Sequence, residues 1–429
     1  MKIIEIQGLQ ILDSRGNPTL QVSVILEDGS KGKFRVPSGA STGIHEAHEL
    51  RDNDMNHYHG KSVTKAVKNI NKIRTELYYI NFNQKTLDAA LIELDGTPNK
   101  KNLGANTILG VSVAFAKACA ISYNLPLYEY LYRLTNDISF TKKSNLVLEE
   151  IHPFANVING GLHSGNGLKV QEFMLIPTFG NLQDKIRAIS EVYQSLKEII
   201  GKKYGKENTA VGDEGGFAPN INTSYEALDL LVEAIEKSNY TGQIGLALDT
   251  AASDFYNKEK KKYEIEPKKL LDYKDLTNYY NDLIEKYPIL SIEDPFEEDD
   301  FEAFKYFKKN IKKITQVNPL INKKEVLIVG DDLLVTNPKR IKTAITKSHC
   351  NSLLLKINQI GTLSESIESF KLVSQKNWHT IVSHRSGETS DSFIADLAVA
   401  LNSSIKLGAP ARGERVAKYN RLLEIFKES

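Results

Sequence analysis

Cysteine is nearly absent from this chain. Among 429 residues only Cys119 and Cys350 occur, far apart and each in apolar surroundings. Two distant thiols build no disulfide framework, and with no C-x-x-C pair they build no zinc or redox motif. They read as buried, inert thiols of a reducing compartment. An excess of charge is missing too. Lys and Arg number 55 against 54 Asp and Glu, a formal net charge of +1, so no overall field draws the chain onto nucleic acid or an anionic membrane. No unbroken apolar run reaches the roughly 18 residues of a membrane span. The N-terminal MKIIEIQGLQ lacks the sustained apolar stretch and small-residue cleavage site of a signal peptide. The expectation is a cytoplasmic globular protein, and 41% hydrophobic with 25% charged residues fits that class.

Common site motifs are missing as well. Gly60-Lys61-Ser62 ends like a phosphate-binding P-loop, but Met55 stands where its first glycine belongs. His45-Glu46-Ala47-His48 is one residue short of the HExxH zinc spacing, and His57 and His59 have no obvious partner ligands. Surface or packing roles are the expectation for these residues. No GxGxxG follows a strand and no GxSxG elbow occurs.

What is present divides in two. Residues 3 to 11 and 19 to 27 are strand-like around the turn-rich Asp13-Ser14-Arg15-Gly16-Asn17-Pro18. A loop of small residues, Pro37 to Gly43, follows. Val63, Ala66, Val67, Ile70, Ile73 and Leu77 recur at helical spacing. Residues 106 to 122 are apolar nearly all round, as in a buried helix. Polar Thr135 to Asn145 reads as a linker. This part, residues 1–140, is expected to be an α+β domain.

In residues 141–429 short apolar runs recur, each ending in a functional group. Ile244–Leu248 leads to Asp249, Ile289–Ile292 to Glu293-Asp294, and Val326–Val329 to Asp331-Asp332. Leu353–Leu355 leads to Lys356, and Thr380–Ser383 to His384-Arg385. Helical patterns such as Tyr225 to Lys237 fill several intervals. Strand, functional group, helix, repeated, describes an α/β fold of the (β/α)8 barrel type, whose site residues gather at the carboxyl ends of the strands. An open doubly wound sheet is the alternative. Lys258–Lys262 reads as a solvated loop.

Three carboxylates at strand ends, Asp249, Glu293 and Asp331, repel each other and are costly to desolvate. A hard divalent cation resolves that, and oxygen ligands suit Mg²⁺. Lys356, leaving an apolar strand, is expected to be partly desolvated. Burial and neighbouring cations such as Lys406 would lower its pKa and favour a neutral amine, which is a general base. Arg385 and Ser386, beside His384, offer a fork and a hydroxyl for phosphate or carboxylate. Glu214 sits in the glycine turn 212–216, and Gln171-Glu172 ends nine residues beyond His163. Glu214 and Glu172 are expected to pair, one staying protonated as an acid. Such a set suits proton abstraction next to a carboxylate, through an enediolate stabilised by cations.

The segments LDSRGNPT (12–19), VPSGASTG (36–43), NVINGGLH (156–163), QEFM (171–174), VGDEGGFAPN (211–220), SIEDPF (291–296), GDDLLVTNPKRI (330–341), LLLKINQIGTLSES (353–366), VSHRSGET (382–389) and GAPAR (408–412) resemble, in order, the signatures of the enolase family. The resemblance implies an enolase-type barrel behind an α+β domain, interconverting 2-phosphoglycerate and phosphoenolpyruvate. It implies two Mg²⁺, one held by Asp249, Glu293 and Asp331. The second would arrive with substrate and be ligated by Ser41 on a lid loop. It implies Lys356 as base, Glu214 as acid supported by Glu172, and His163 closing over the site. Arg385 and Ser386 would bind phosphate, Lys406 the carboxylate side, and Gln171 and His384 would line the site. A lysine or histidine base with one or two Mg²⁺ is the known pattern of this superfamily, not a deduction from these residues. The resemblance also implies a homodimer.

Departures from the family pattern are His152-Pro153-Phe154-Ala155, Gln21, Phe301, Leu407 and Gly413; none removes a catalytic group. Two rivals stand beside the reading. One is a superfamily enzyme for a non-phosphorylated acid, which Arg385-Ser386 and the Ser41 loop argue against. The other is a retired enzyme kept for binding, which the intact base, acids and ligand positions argue against.

Overall fold

A computed structural model describes residues 1–39, 43–140, 146, 148 and 151–428. Three antiparallel strands open the chain: β1 (Ile3–Leu12), β2 (Pro18–Leu26) and β3 (Lys31–Arg35). Four helices follow: α1 (Thr64–Leu77), α2 (Gln84–Asp95), α3 (Ala105–Ser122) and α4 (Leu127–Thr135). The turn at 13–17 joins β1 to β2 because the Asp13 carboxylate accepts from the N–H groups of Arg15 and Asn17 at 2.8 and 2.9 Å. Leu20, Val22 and Val24 of β2 and Ala66, Ile70 and Ile73 of α1 are fully buried. Helix α3 is long and apolar enough to cross a membrane by length and composition, which refines the expectation of no such run. Yet 83% of it is buried within the protein, as in a core helix. It lies so close to the sheet that a Cβ on Gly32 would stand 1.9 Å from the Ala114 carbonyl oxygen.

The rest closes into an eight-stranded barrel, so the open-sheet alternative falls. Its strands are β4 (Pro153–Asn159), β5 (Glu172–Pro177) and β6 (Ile244–Asp249), then, after a small sheet of β7 (Tyr256–Asn257), β8 (Lys262–Glu266) and β9 (Lys269–Leu271), β10 (Ile289–Glu293), β11 (Leu327–Gly330), β12 (Ser352–Leu355), β13 (His379–Ser383) and β14 (Ser404–Lys406). Its helices are α5 (Leu182–Tyr204), α6 (Ser224–Lys237), α7 (Tyr273–Lys286), α8 (Phe301–Asn310), α9 (Pro338–Lys347), α10 (Ile357–Ile360), α11 (Leu363–Ser374), α12 (Phe393–Ala400) and α13 (Gly413–Glu428). All neighbours pair in parallel except β5, which runs antiparallel to both β4 and β6. The basic run at 258–262 is the turn between β7 and β8, with Lys262 inside a strand.

Several contacts join the domains, two of them away from the barrel mouth. Asp88 of α2 accepts from the Ser364 N–H at 2.9 Å, capping α11 from outside the barrel. Lys117 of α3 pairs with Asp391 at 2.7 Å.

Candidate active site

Barrel geometry places the functional groups at one mouth. Asp249, Glu293 and Lys406 close β6, β10 and β14, while Asp331, Lys356 and His384 follow β11, β12 and β13 directly. Glu172 opens β5 instead of closing it. Because that strand is reversed, its first residue pairs with Asn159 and Asp249, the last residues of its neighbours, and so reaches the same mouth. Strand-end reading of a uniformly parallel barrel has no way to locate Glu172.

Two ammonium groups neutralise the acids. Lys406 Nζ lies 2.9 Å from Asp249 Oδ2 and from both oxygens of Glu293, and 3.1 Å from Glu172 Oε2. Lys356 pairs with Asp331 Oδ2, while Gln359 Nε2 donates to Asp331 Oδ1 at 2.7 Å. Here the expectation of a depressed Lys356 pKa is corrected. Burial is the strongest single influence and pulls it down, as do Arg385 and Lys406, but the surrounding carboxylates, Asp331 first and then Glu293, together prevail, and the ammonium is held above its ordinary value. Lys406 is raised well above its own, since Asp249, Glu172 and Glu293 together overcome burial.

Asp249, Glu293 and Asp331 are all buried and offer only oxygen, a donor set that fits a hard divalent cation. Among the described residues, the two triads of potential ligand atoms within 4.8 Å of one another are different ones, Asp294/Asp331/Asp332 and His163/Glu172/Glu214. The expected trio is spread around the two lysines instead. Ser41 lies outside the described residues.

Next to Lys406 sits the acid pair. His163 Nδ1 is 3.6 Å from both Glu172 Oε1 and Glu214 Oε1. Glu214 also accepts from Asn156 Nδ2 at 3.0 Å and faces His384 Nε2 at 3.4 Å. Burial and then the Glu214 charge push Glu172 well above the carboxylate range. For Glu214, burial is overcome by His384, His163 and Arg415, which hold it well below that range. The two carboxyls are thus pushed in opposite directions, which favours a proton on Glu172 over Glu214.

Arg385 binds Glu46 through both terminal nitrogens, at 3.0 Å each, and Asn358 Oδ1 at 2.9 Å. Glu46, expected to have a surface or packing role, therefore reaches the site from the first domain. Its sequence neighbourhood carries no signal of this beyond its closeness to the small-residue loop. Asp294, named only as a companion of Glu293, accepts from the N–H groups of Asp331 and Asp332 at 2.9 and 2.7 Å and orients the β11 end.

One cavity unites these groups. It is lined by His163, Gln171, Glu172, Glu214, Lys356 and Lys406 together with Ser383 to Ser386. Except for Ser383, all of them are residues the sequence singles out. Gln171 Oε1, His163 Nδ1 and His384 Nε2 are buried there without a hydrogen-bond partner, the mark of a site shaped for a polar ligand. Asp249, Glu293 and Asp331 do not line it; they stand behind the lysines.

Comparison with known proteins gives a consistent picture. Residues 3–131 match the family described as "Enolase, N-terminal domain", and residues 150–429 match "Enolase, C-terminal TIM barrel domain". Enolase 1 of Entamoeba histolytica is 50% identical over 443 residues, covering 100% of this chain and 96% of the relative. Enolase of Methanocaldococcus jannaschii is 48% identical over 431 residues, covering 100% and 95%.

Proposed function

The chain belongs to the enolase family, and from that premise we propose that it is a glycolytic and gluconeogenic phosphopyruvate hydratase, a lyase that reversibly dehydrates 2-phosphoglycerate to phosphoenolpyruvate with Mg²⁺. The observation that carries the reading is one polar cavity lined together by Lys356, Lys406, Glu172, Glu214 and His163. A base and an acid facing one cavity are what elimination across two adjacent carbons requires.

Lys356, paired with Asp331 as an ammonium, would first lose its own proton when Asp331 turns to a cation, and its neutral Nζ then takes the C2 proton, leaving an enediolate. Glu214 delivers a proton to the C3 hydroxyl as the C3–O bond breaks, and water leaves. Because the proton is favoured on Glu172 over Glu214, Glu214 receives the proton that it delivers from Glu172, and His163, 3.6 Å from both carboxylates, spans the gap between them. Arg385 and Ser386 bind the phosphate, Lys406 stands at the carboxylate side, and Gln171 and His384 line the pocket. Asp249, Glu293 and Asp331 would hold the first Mg²⁺, and Ser41 would be a ligand of a second that comes with substrate. These carboxylates draw positive charge from Lys406 and Lys356; a metal ion bound there would supply that charge instead and would stabilise charge developing on the substrate oxygens. The remaining assignments are a domain boundary between 140 and 141, a homodimer and a cytoplasmic location.

The test is turnover of 2-phosphoglycerate with Mg²⁺, followed by the ultraviolet absorbance of phosphoenolpyruvate, beside an EDTA control and Lys356→Ala. Metal-dependent product that vanishes in the variant is the expected result. Folded, Mg²⁺-loaded protein that makes no product refutes the reading.

A further inference from the structure

Arg415 has so far been given no role of its own, yet it touches two of the loops that carry the site. It lies in the first turn of α13 and is 0% exposed. Its Nη1 stands 2.6 Å from His384 Nδ1 and donates to the Arg385 carbonyl at 2.6 Å. Its Nη2 donates to the carbonyls of Ser386 at 2.7 Å and Asp213 at 3.2 Å. A guanidinium has only donors and does not lose its proton in proteins. The imidazole nitrogen facing it must therefore present a lone pair. In the neutral ring that leaves the hydrogen on Nε2, which points into the cavity 3.4 Å from Glu214 Oε2.

We propose that Arg415 is a positioning residue of the reaction, fixing His384 as its Nε2–H tautomer and so aiming a donor at Glu214. The same guanidinium pins the backbone on either side, at Asp213 beside the acid and at Arg385–Ser386 beside the phosphate group. The roles of Glu214 and Arg385 rest on the function proposed above; the tautomer rests on Arg415 alone.

Two further observations agree. A doubly protonated His384 would set an N–H against the guanidinium. Burial first, and then the charges of Arg415 and Lys406, push its pKa down to about 4 against the pull of Glu214. The packing also leaves no slack. Gly408 has φ +79°, and a Cβ there would stand 2.7 Å from the Glu214 carbonyl oxygen and 3.1 Å from both Arg415 Cδ and His384 Cε1. Arginine, imidazole and acid loop are thus held in one close-packed corner.

The decisive measurement needs no turnover. Nitrogen-15 spectra of the ligand-free protein with labelled histidine, assigned by the signal lost in His384→Asn, report which ring nitrogen is protonated. The expected result is a lone pair on Nδ1 and a proton on Nε2; a protonated Nδ1 in the wild type overturns the proposal. In Arg415→Gln, whose amide offers either an acceptor or a donor, a mixture of tautomers is expected, and kcat falls about 10- to 100-fold. Arg415→Lys, again donor-only, restores the single tautomer and part of the rate. A folded Arg415→Gln protein with unchanged tautomer and kcat also overturns it. The expected wild-type tautomer without turnover of 2-phosphoglycerate would uphold the role of Arg415 and reject the substrate reading instead.

Discussion

Replacing Glu46 with glutamine probes the ion pair that ties the first domain to the barrel mouth. The side chains of Arg385 and Glu46 are 3% and 8% exposed, and both terminal nitrogens of the arginine reach the carboxylate at 3.0 Å. Opposite charges about 4 Å apart attract by about 4 kcal/mol at an effective dielectric of 20. Removing one partner of a buried pair costs about 3–5 kcal/mol, because the remaining charge is left without compensation. Glutamine retains an acceptor oxygen, and Arg385 keeps Asn358, so the low end, about 3 kcal/mol, is expected. At about 2 cal/mol/K of unfolding entropy per residue, a chain of 429 residues should lose about 3 °C in Tm. Inorganic phosphate should reverse the loss, since it offers Arg385 two oxygens in the same fork and stabilises by mass action. In the wild type phosphate must displace Glu46; in Glu46→Gln it need not. The phosphate-induced rise in Tm should therefore be larger in the variant. Scanning calorimetry over a phosphate titration measures both effects. Equal Tm values without phosphate, or an equal phosphate shift in the two proteins, would refute the reasoning.

Burial pushes the Cys119 thiol up to about 12 and Cys350 higher still; native protein should therefore react with a disulfide reagent such as DTNB far more slowly than unfolded protein, and two fast-reacting thiols would contradict the packing. Burial, with some help from His152, pushes His379 down to about 4. The unfolded chain, with its imidazole near 6.5, then binds the proton first, so stability is intact above about pH 6.5 and falls by about 3 kcal/mol towards pH 4. His379→Gln should flatten that limb of a Tm-against-pH curve. Gly32→Ala should destabilise by about 3 kcal/mol or more, because a methyl 1.9 Å from the Ala114 carbonyl forces α3 off the sheet; urea denaturation with a midpoint like the wild type's would show that the helix is not packed that closely.

Much of this architecture is written in local patterns. Alternating and continuous apolar runs mark β1, β2 and five of the barrel strands to within a residue or two, because a strand buried on both faces needs an unbroken apolar stretch. The all-round apolar composition of α3 announces its burial for the same reason. Strand-end placement of Asp249, Glu293, Asp331, Lys356 and His384 follows from the run boundaries alone, since a parallel barrel opens its carboxyl ends to one mouth. Glu172 escapes that rule, because nothing in a six-residue strand states its direction; the pairing of β5 with β4 and β6 decides it.

Residue types, order along the chain and family membership are therefore properties of the sequence by itself, because composition, periodicity and motif spacing are local. Ionisation and partnership are not. Lys356 reads as a base of lowered pKa until the fold sets it against Asp331. Glu46 looks like a surface residue until the two domains meet, and Arg415 carries no motif at all until α13 packs it against His384. Charge interactions depend on distance and on exclusion of water, and both are set only when segments hundreds of residues apart close around one cavity.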